Sequence, residues 1–516
     1  MEIKSFKFIL SIWAFIIFAT VSALLVRPIN QAISRFDRKD QYIESILDEM
    51  SEVSPEIRMN GFYGDIDYKK LRKIRKGFLY LWNNYRFKAW SHDVINDEYE
   101  WEDYIHLALS MLASHGTLSL MGLKMDVYEI DKFFNKTKLQ PKGSIKLSVF
   151  FGQVIEGLIS AYENYHSGKY FNKIQELLQL VNMSVYEGSD MITISKDKII
   201  NSGNSLFNLH EFSTVILALL QSYHHMQSKT YYSYSLKAFE KILSNKAESL
   251  PKNIFNNKNL HEASRSSSFD SNGYSFYDNL VKINILTNNS IKSPENDVNE
   301  IFDAIYNEYI EIRGDSAYIV QKNGKSDEKI VTLDSFLFGG LILLRRNIPP
   351  DSIQKFGEIS KKLSNGLFNF LNLSVNGFPP KSAVLKGKLE VIDSSYDLSH
   401  RVLETLLIYY RSTHRKEYRD AAWKIFKAVN ESCKTIYGYS PVIINGTNVT
   451  QVHKEVDPKI YSGFFKLMYL IFLDSSVVDL DHFVITSDGN ILKIWSESEP
   501  SIDSEVFESA SRINVL

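Results

Sequence analysis

Phe78-Leu-Tyr-Leu-Trp82-Asn-Asn-Tyr85-Arg-Phe-Lys-Ala89-Trp90-Ser-His92-Asp93 places its large apolar residues at helical spacing. Phe78, Leu81, Trp82 and Tyr85 recur three and four residues apart, so one helical face must be buried. The same period runs through Ile74–Trp90, Tyr104–Met121, Ser148–Tyr165, Glu211–His225 and Tyr274–Ile285. It returns in Leu333–Arg345, Arg401–Thr413, Tyr418–Cys433 and Tyr461–Leu473. Alternating runs such as Ala317–Val320 and Val484–Thr486 are short enough for hairpins decorating a helical body. Ser244–Asn272, rich in Asn, Ser and Lys, reads as a long surface loop. No linker of domain-boundary quality interrupts residues 40–495. Helical hairpins must bury their faces against neighbours, which leaves a closed ring or an open solenoid.

Composition narrows the function. The chain has 516 residues, 44% hydrophobic and 23% charged, enough to build a sizeable core. Its 59 basic residues against 61 acidic ones give a net charge of −2. Such a balance provides no field to attract nucleic acid. One cysteine, Cys433, excludes an intramolecular disulfide and the Cys-rich zinc and redox motifs.

From Phe8 to Val26 no residue is charged, and at ~1.5 Å per residue the stretch spans ~28 Å, about the hydrocarbon thickness of a bilayer. Lys4 and Lys7 precede it, which predicts a cytosolic N-terminus (1–7), a signal-anchor (8–26), a stem (27–40) and a lumenal body. Val21-Ser22-Ala23 also fits a signal-peptide cleavage site. Seven acceptor tripeptides for N-glycosylation begin at Asn135, Asn182, Asn288, Asn372, Asn430, Asn445 and Asn448.

The opening stretch resembles the motif F-x-x-A-W-x-x-Y-x-x-x-A-W-G-H-D-E of the class I α-1,2-mannosidases, glycoside hydrolase family 47. Further matches follow in order. Thr117-Leu-Ser-Leu-Met121-Gly122-Leu123-Lys124 is similar to D-T-x-x-I-M-G-L-K, Glu156-Gly157-Leu-Ile-Ser160-Ala161-Tyr162 to G-G-L-L-S-A-Y, and Ser275-Phe276-Tyr277-Asp278-Asn-Leu280 to S-F/Y-Y-E-Y-L. Glu404 to Thr413 resembles E-S/T-x-x-x-x-Y-R-x-T. Phe464 to Asp474, and then Asp481 to Asp488, resemble L-K-Y-L-Y-L-L-F-S-D and the closing hairpin N-T-E-A-H-P. The resemblance covers roughly residues 74–490. It implies an all-α (α/α)7 barrel over 41–495 with a C-terminal β-hairpin, followed by a tail, 496–516.

The family removes α-1,2-linked mannose with inversion, which needs a carboxylic acid to protonate the leaving oxygen and a separate carboxylate to activate water. A calcium ion at the barrel floor orients sugar and water. Carried over residue by residue, most of these positions are empty. The acid position falls on Val149, its neighbouring Arg on Gln153, and the base position on Arg401, a fixed cation. Other family carboxylates fall on Val94, Ala113, Gly116, Tyr274 and Gly463. What persists is Glu211, Asp278 and Glu404, as site remnants or as the polar lining of a water-filled barrel, and His92 and Asp93, as site residues or as caps between helices. Ser487, standing for the hairpin Thr, is the candidate calcium ligand.

The resemblance therefore implies a non-catalytic mannosidase-like protein of the endoplasmic reticulum or Golgi membrane, its body lumenal. It would bind high-mannose glycoproteins or a lumenal protein partner in glycoprotein processing and quality control. An active calcium-dependent α-1,2-mannosidase and a membrane-tethered helical scaffold are the alternatives.

Overall fold

The computed structural model describes residues 66–496 apart from short internal segments, the longest being 181–190 and 257–270. All described residues fall within one compact unit, Gly64–Leu516. The expected cytosolic N-terminus, anchor and stem, and the tail beyond Ser496, lie outside the described residues. Among those that are described, no helix is long and apolar enough to cross a membrane.

Fourteen α-helices alternate between an outer and an inner layer among the described residues. The outer helices are α1 (Tyr68–Lys88), α3 (Lys124–Lys136), α5 (Gly168–Leu180), α7 (Lys229–Leu243), α9 (Lys292–Glu308), α11 (Pro350–Leu371) and α13 (Lys416–Ala428). The inner ones are α2 (Leu109–Leu120), α4 (Glu156–Tyr165), α6 (Leu209–Met226), α8 (Ser271–Leu286), α10 (Leu337–Leu344), α12 (Arg401–Thr413) and α14 (Phe465–Phe472). Each inner helix touches the next, and α14 touches α2, so the seven form a closed ring. Each inner helix also packs on the outer helix that follows it, while α14 packs on α1. The chain thus starts with an outer helix whose inner partner comes last.

Sequence patterning explains the layers. Outer α13 buries Tyr418, Ala422, Ile425 and Phe426 along one stripe, whereas all eight residues of inner α14, Phe-Lys-Leu-Met-Tyr-Leu-Ile-Phe, are buried. A helix apolar on all sides has no face for water and must lie inside. α1 starts at Asp67, whose side chain accepts the Lys70 N–H at 3.0 Å, an N-cap of the usual kind. Its stripe of Phe78, Leu81, Trp82 and Tyr85 is fully buried, with the Phe78 ring edge-on to Phe465 at 5.7 Å. Trp90 and Tyr162 are only partly buried against the core.

Two predicted helices carry a π-helical turn at their start: Val149–Ile155 runs into α4, and Ile460–Phe464 into α14. The predicted loop at Ser244–Asn272 is only partly a loop. Its described parts include Lys246–Ala247 paired with Leu250–Pro251, and Ile254–Asn256 paired with Leu206–Asn208, and α8 already begins at Ser271. Backbone pairing with a strand fifty residues upstream is a tertiary event that local composition does not report. The C-terminal hairpin pairs Phe483–Ile485 with Ile491–Lys493. Its turn, Thr486–Asn490, is buried within the ring.

Candidate active site and the floor of the barrel

Two polar clusters form where inner helices meet the hairpin turn. In the first, Arg401 opens α12 and directs its guanidinium at α8. Nη1 lies 3.2 Å from the Asp278 carboxylate and Nη2 donates to Ser275 Oγ at 2.8 Å. Lys282, one turn after Asp278 on α8, lies 2.7 Å from Asp278 and 2.6 Å from Glu404. Asp278, Lys282 and Glu404 are at most 1% exposed. Two cations and two carboxylates therefore alternate as Arg401, Asp278, Lys282, Glu404, and each charge removed from water has an opposite charge against it. Burial pushes Glu404 up to about 7, with Lys282 working against that shift. Burial opposes the Lys282 charge, but Asp278 and Glu404 outweigh it and hold the ammonium above its ordinary range. Asp278 and Glu404 are thus held in a buried ion-pair chain.

The second cluster surrounds the hairpin turn. His400 Nε2 donates to the Ser487 carbonyl at 2.9 Å, and because a carbonyl only accepts, Nε2 carries the hydrogen. Burial, reinforced by the Arg401 charge, lowers this imidazole to about 3 and keeps it neutral. Lys459 Nζ lies 2.8 Å from Asp488 Oδ1, and Lys466 Nζ donates to the Gly489 carbonyl at 2.6 Å. Lys466 is buried with no carboxylate partner among the described residues, and that burial lowers it to about 7. Glu156, 1% exposed on α4, stands beside the turn. Burial, and then the charge of Asp488, hold it well above the usual carboxylate range.

Three glycines make room for this arrangement. A Cβ on Gly152 would fall 2.2 Å from Asp488 Oδ2, so the carboxylate rests on bare backbone. A Cβ on Gly463 would fall 2.6 Å from His400 Cγ: the ring fills the space that a side chain at 463 would use. Gly489, at φ +79°, presses its backbone onto Gly463 and Ser462 in a conformation that L side chains rarely adopt.

Val149, the acid position, lies in the π turn, half-buried, and carries no ionisable group. Glu211 on α6 accepts the backbone N–H of Ser148, next to that position. Asp278 and Glu404 come together through Lys282 and Arg401. His92 and Asp93 do not join them and sit instead in the connection between α1 and α2. Asp93 is fully buried, and its carboxylate accepts the N–H groups of Tyr104, Ile105, His106 and Leu107 at 2.7–2.9 Å. His92 stacks on Trp101 at 3.6 Å and lies 2.8 Å from Asp103. Their place is dictated by the orphan donors of a loop entering α2.

Sequence reasoning did not single out Lys282, His400, Lys459 or Lys466. For two of them a signal exists: Lys282 and Lys466 are lone cations in apolar helical runs, and a buried cation needs a partner.

Calcium takes six to eight oxygen ligands. Ser487 retains one candidate, its buried Oγ, which has no protein partner. Its carbonyl is held by His400, the neighbouring Gly489 carbonyl by Lys466, and Asp488 is compensated by Lys459. Among the described residues no group of three His, Cys, Asp or Glu side chains is placed to hold a metal. These residues do not fit a calcium ion.

The geometry agrees with the relatives. The chain is 22% identical to mannosyl-oligosaccharide 1,2-alpha-mannosidase MNS1 of Arabidopsis thaliana, the match covering 94% of this chain and 91% of that one. It is 24% identical to mannosyl-oligosaccharide 1,2-alpha-mannosidase IA of Sus scrofa over 84% of this chain and 69% of the relative. The endoplasmic reticulum mannosyl-oligosaccharide 1,2-alpha-mannosidase of Rattus norvegicus is 21% identical, with 83% and 68% covered. The α-1,2-mannosidase from Trichoderma reesei superposes with a TM-score of 0.74 at 18% identity, covering 84% of this chain and all of that one. That likeness identifies the fold as the (α/α)7 barrel. Residues 77–494 match the sequence pattern of Glycosyl hydrolase family 47, and the chain belongs to that family.

Proposed function

We propose that this chain is a non-catalytic member of the mannosidase family, which serves glycoprotein processing in the secretory pathway by binding N-glycosylated proteins or a lumenal partner without cleaving mannose. Its body would lie in the lumen of the endoplasmic reticulum or Golgi, behind an N-terminal anchor. The observation that carries this reading is Arg401. At the position assigned to the base stands a guanidinium engaged with Asp278 at 3.2 Å and Ser275 at 2.8 Å. It cannot accept a proton at neutral pH. An inverting glycosidase needs two carboxyl groups about 6.5–9.5 Å apart with a water between them, and each acid or base group is worth ~10²–10⁴ in rate. Here the acid position, Val149, and the base position, Arg401, both lack one.

One observation favours an active enzyme with a rearranged site. Burial, and then the charge of Asp488, raise the Glu156 pKa well above the usual carboxylate range, the direction a general acid requires. Against it, Glu156 is 1% exposed, and its partner Asp488 is paired with Lys459. The purified lumenal body is incubated with a high-mannose glycan, with and without calcium, and with Glu156→Gln as control. No mannose release is expected. Release that Glu156→Gln abolishes would establish the active enzyme instead.

A further inference from the structure

The hairpin turn is surrounded by hydrogen-bond donors. Three successive residues, Ser487, Asp488 and Gly489, present their oxygens into the ring. His400 donates to the first carbonyl at 2.9 Å, Ser462 Oγ to the second at 2.7 Å, and Lys466 to the third at 2.6 Å. The Asp488 carboxylate has the Lys459 ammonium 2.8 Å away and is 1% exposed. Two lysine side chains reach one five-residue turn from opposite ends of the same segment, Lys459 just before the π turn Ile460–Phe464 and Lys466 just after it. The oxygens left over, Ser487 Oγ and one oxygen on each of Glu156 and Asp488, lie in a neighbourhood whose positive charge is already supplied. A divalent ion entering there would meet the Lys459 ammonium at close range, on a carboxylate that it already pairs. It would also have to displace the buried donors His400 and Ser462 from the turn's carbonyls.

We propose that Lys459 is the resident counter-ion of the hairpin turn, a half-buried ammonium reaching the buried Asp488 carboxylate in place of the divalent metal, so that this barrel floor assembles and stays closed without calcium. The pairing has the properties such a role requires. Asp488 rests on the bare backbone of Gly152, so its carboxylate is pressed against helix α4's leading turn. Lys459 neutralises it there, and the turn's backbone is tied to α12 through His400 and to α14 through Lys466. Burying Asp488 without Lys459 would leave an uncompensated charge, the costly case for buried pairs.

This inference is independent of the catalytic reading. Mannose release would overturn that reading and leave this one standing, whereas metal bound at the turn would do the reverse.

The test uses the complete lumenal body. Thermal unfolding is recorded in EGTA and in millimolar calcium for the wild type, Asp488→Asn, Lys459→Gln and the double variant Lys459→Gln/Asp488→Asn. The wild-type Tm is expected to be the same in EGTA and in calcium. Lys459→Gln should lose about 3 °C or more, and the double variant should recover most of that loss because the orphaned carboxylate is gone. A calcium-induced rise in wild-type Tm that Asp488→Asn abolishes would overturn the proposal, as would a Lys459→Gln protein as stable as the wild type. A rise that persists in Asp488→Asn would overturn it as well, because Ser487, the candidate calcium ligand, keeps both of its oxygens in that variant. Should Lys459→Gln fail to fold, the wild-type and Asp488→Asn titrations decide alone.

Discussion

The fit of His400 against Gly463 can be tested by adding a single methyl group. In Gly463→Ala the new Cβ would stand 2.6 Å from His400 Cγ, 2.9 Å from Nδ1 and 3.0 Å from Cβ. Favourable carbon contacts lie at ~3.5–4.0 Å, so ring or helix must shift by about 1 Å. The ring has nowhere to go: its Nε2 is tied to the Ser487 carbonyl at 2.9 Å and it is 6% exposed. The helix cannot retreat either, because a Cβ on Gly489 would already lie 2.7 Å from Gly463 Cα. Overpacking of this kind costs ~1–3 kcal/mol, offset by up to ~1 kcal/mol for replacing glycine by alanine in a helix. A net loss of ~1–2 kcal/mol is expected. His400→Ala alone should cost ~2–3 kcal/mol, through the lost hydrogen bond and the cavity left behind. In the double variant the added methyl enters the vacated space, so the total should fall below the sum by ~1–2 kcal/mol. Urea unfolding followed by tryptophan fluorescence measures all four corners of the cycle, provided the slope with denaturant stays constant. If the two losses add within ~0.5 kcal/mol, the complementarity argument is wrong. The same geometry predicts that placing glutamate at 463, the residue found there in the family motif, will not rebuild a site while His400 remains.

Three further outcomes are expected. Because the folded pKa of Glu404 is raised from 4.5 to about 7, the folded state holds a proton that the unfolded chain releases between those values. Its contribution to stability is therefore present below pH ~4.5 and is lost as pH rises through ~7, so urea midpoints from pH 5 to 8 should fall more steeply for the wild type than for Glu404→Gln. Equal slopes would remove Glu404 from the balance. Asp93→Ala strips four backbone N–H groups of their buried acceptor and should cost at least ~3 kcal/mol, read by the same unfolding assay; a loss under ~1 kcal/mol would mean water replaces the carboxylate. Expressed in a secretory pathway, the chain should carry glycans at exposed Asn445 or Asn448, and none at Asn430, whose Oδ1 accepts the Tyr439 hydroxyl. Glycosidase treatment with peptide mapping checks this, and occupancy of Asn430 would contradict it.

Helical periodicity named the seven inner helices and the outer α1 and α13, because burial of one face leaves a mark every three or four residues, but it did not single out the outer helices α3, α5, α7, α9 and α11. It could not close the ring, since the contacts of α14 with α1 and α2 link residues more than 300 positions apart and leave no local trace. The ordered family motifs supplied closure. The motifs also located Asp278, Arg401 and Glu404 but were silent on what binds them. Lys282 is absent from every motif compared, yet it joins two of the three. Gly463 carries the same lesson: it looks like a simple loss from the family pattern, and only distance reveals that the His400 ring fills the space of the missing side chain. Asp93 stood open between a site residue and a cap, and the structure sets its carboxylate on backbone donors. A motif records that a carboxylate is present and not whether sugar or backbone receives it.

Placing the inner partner of α1 at the far end of the chain sets the order in which the protein can be made. When α1 emerges, the surface it will bury against α14 is nearly 400 residues away. At ~5–20 residues per second, synthesis leaves that aromatic stripe uncovered for roughly 20–80 s. The ionised groups of α8 and α12 wait for a shorter time, until the hairpin arrives to close the floor. For most of its synthesis the nascent chain is an open crescent with an apolar inner wall, and its final twenty to thirty described residues turn it into a ring. Premature termination within that last stretch would yield nearly the whole protein and none of its closure, and the product would be a client for the chaperones of the compartment in which it is made.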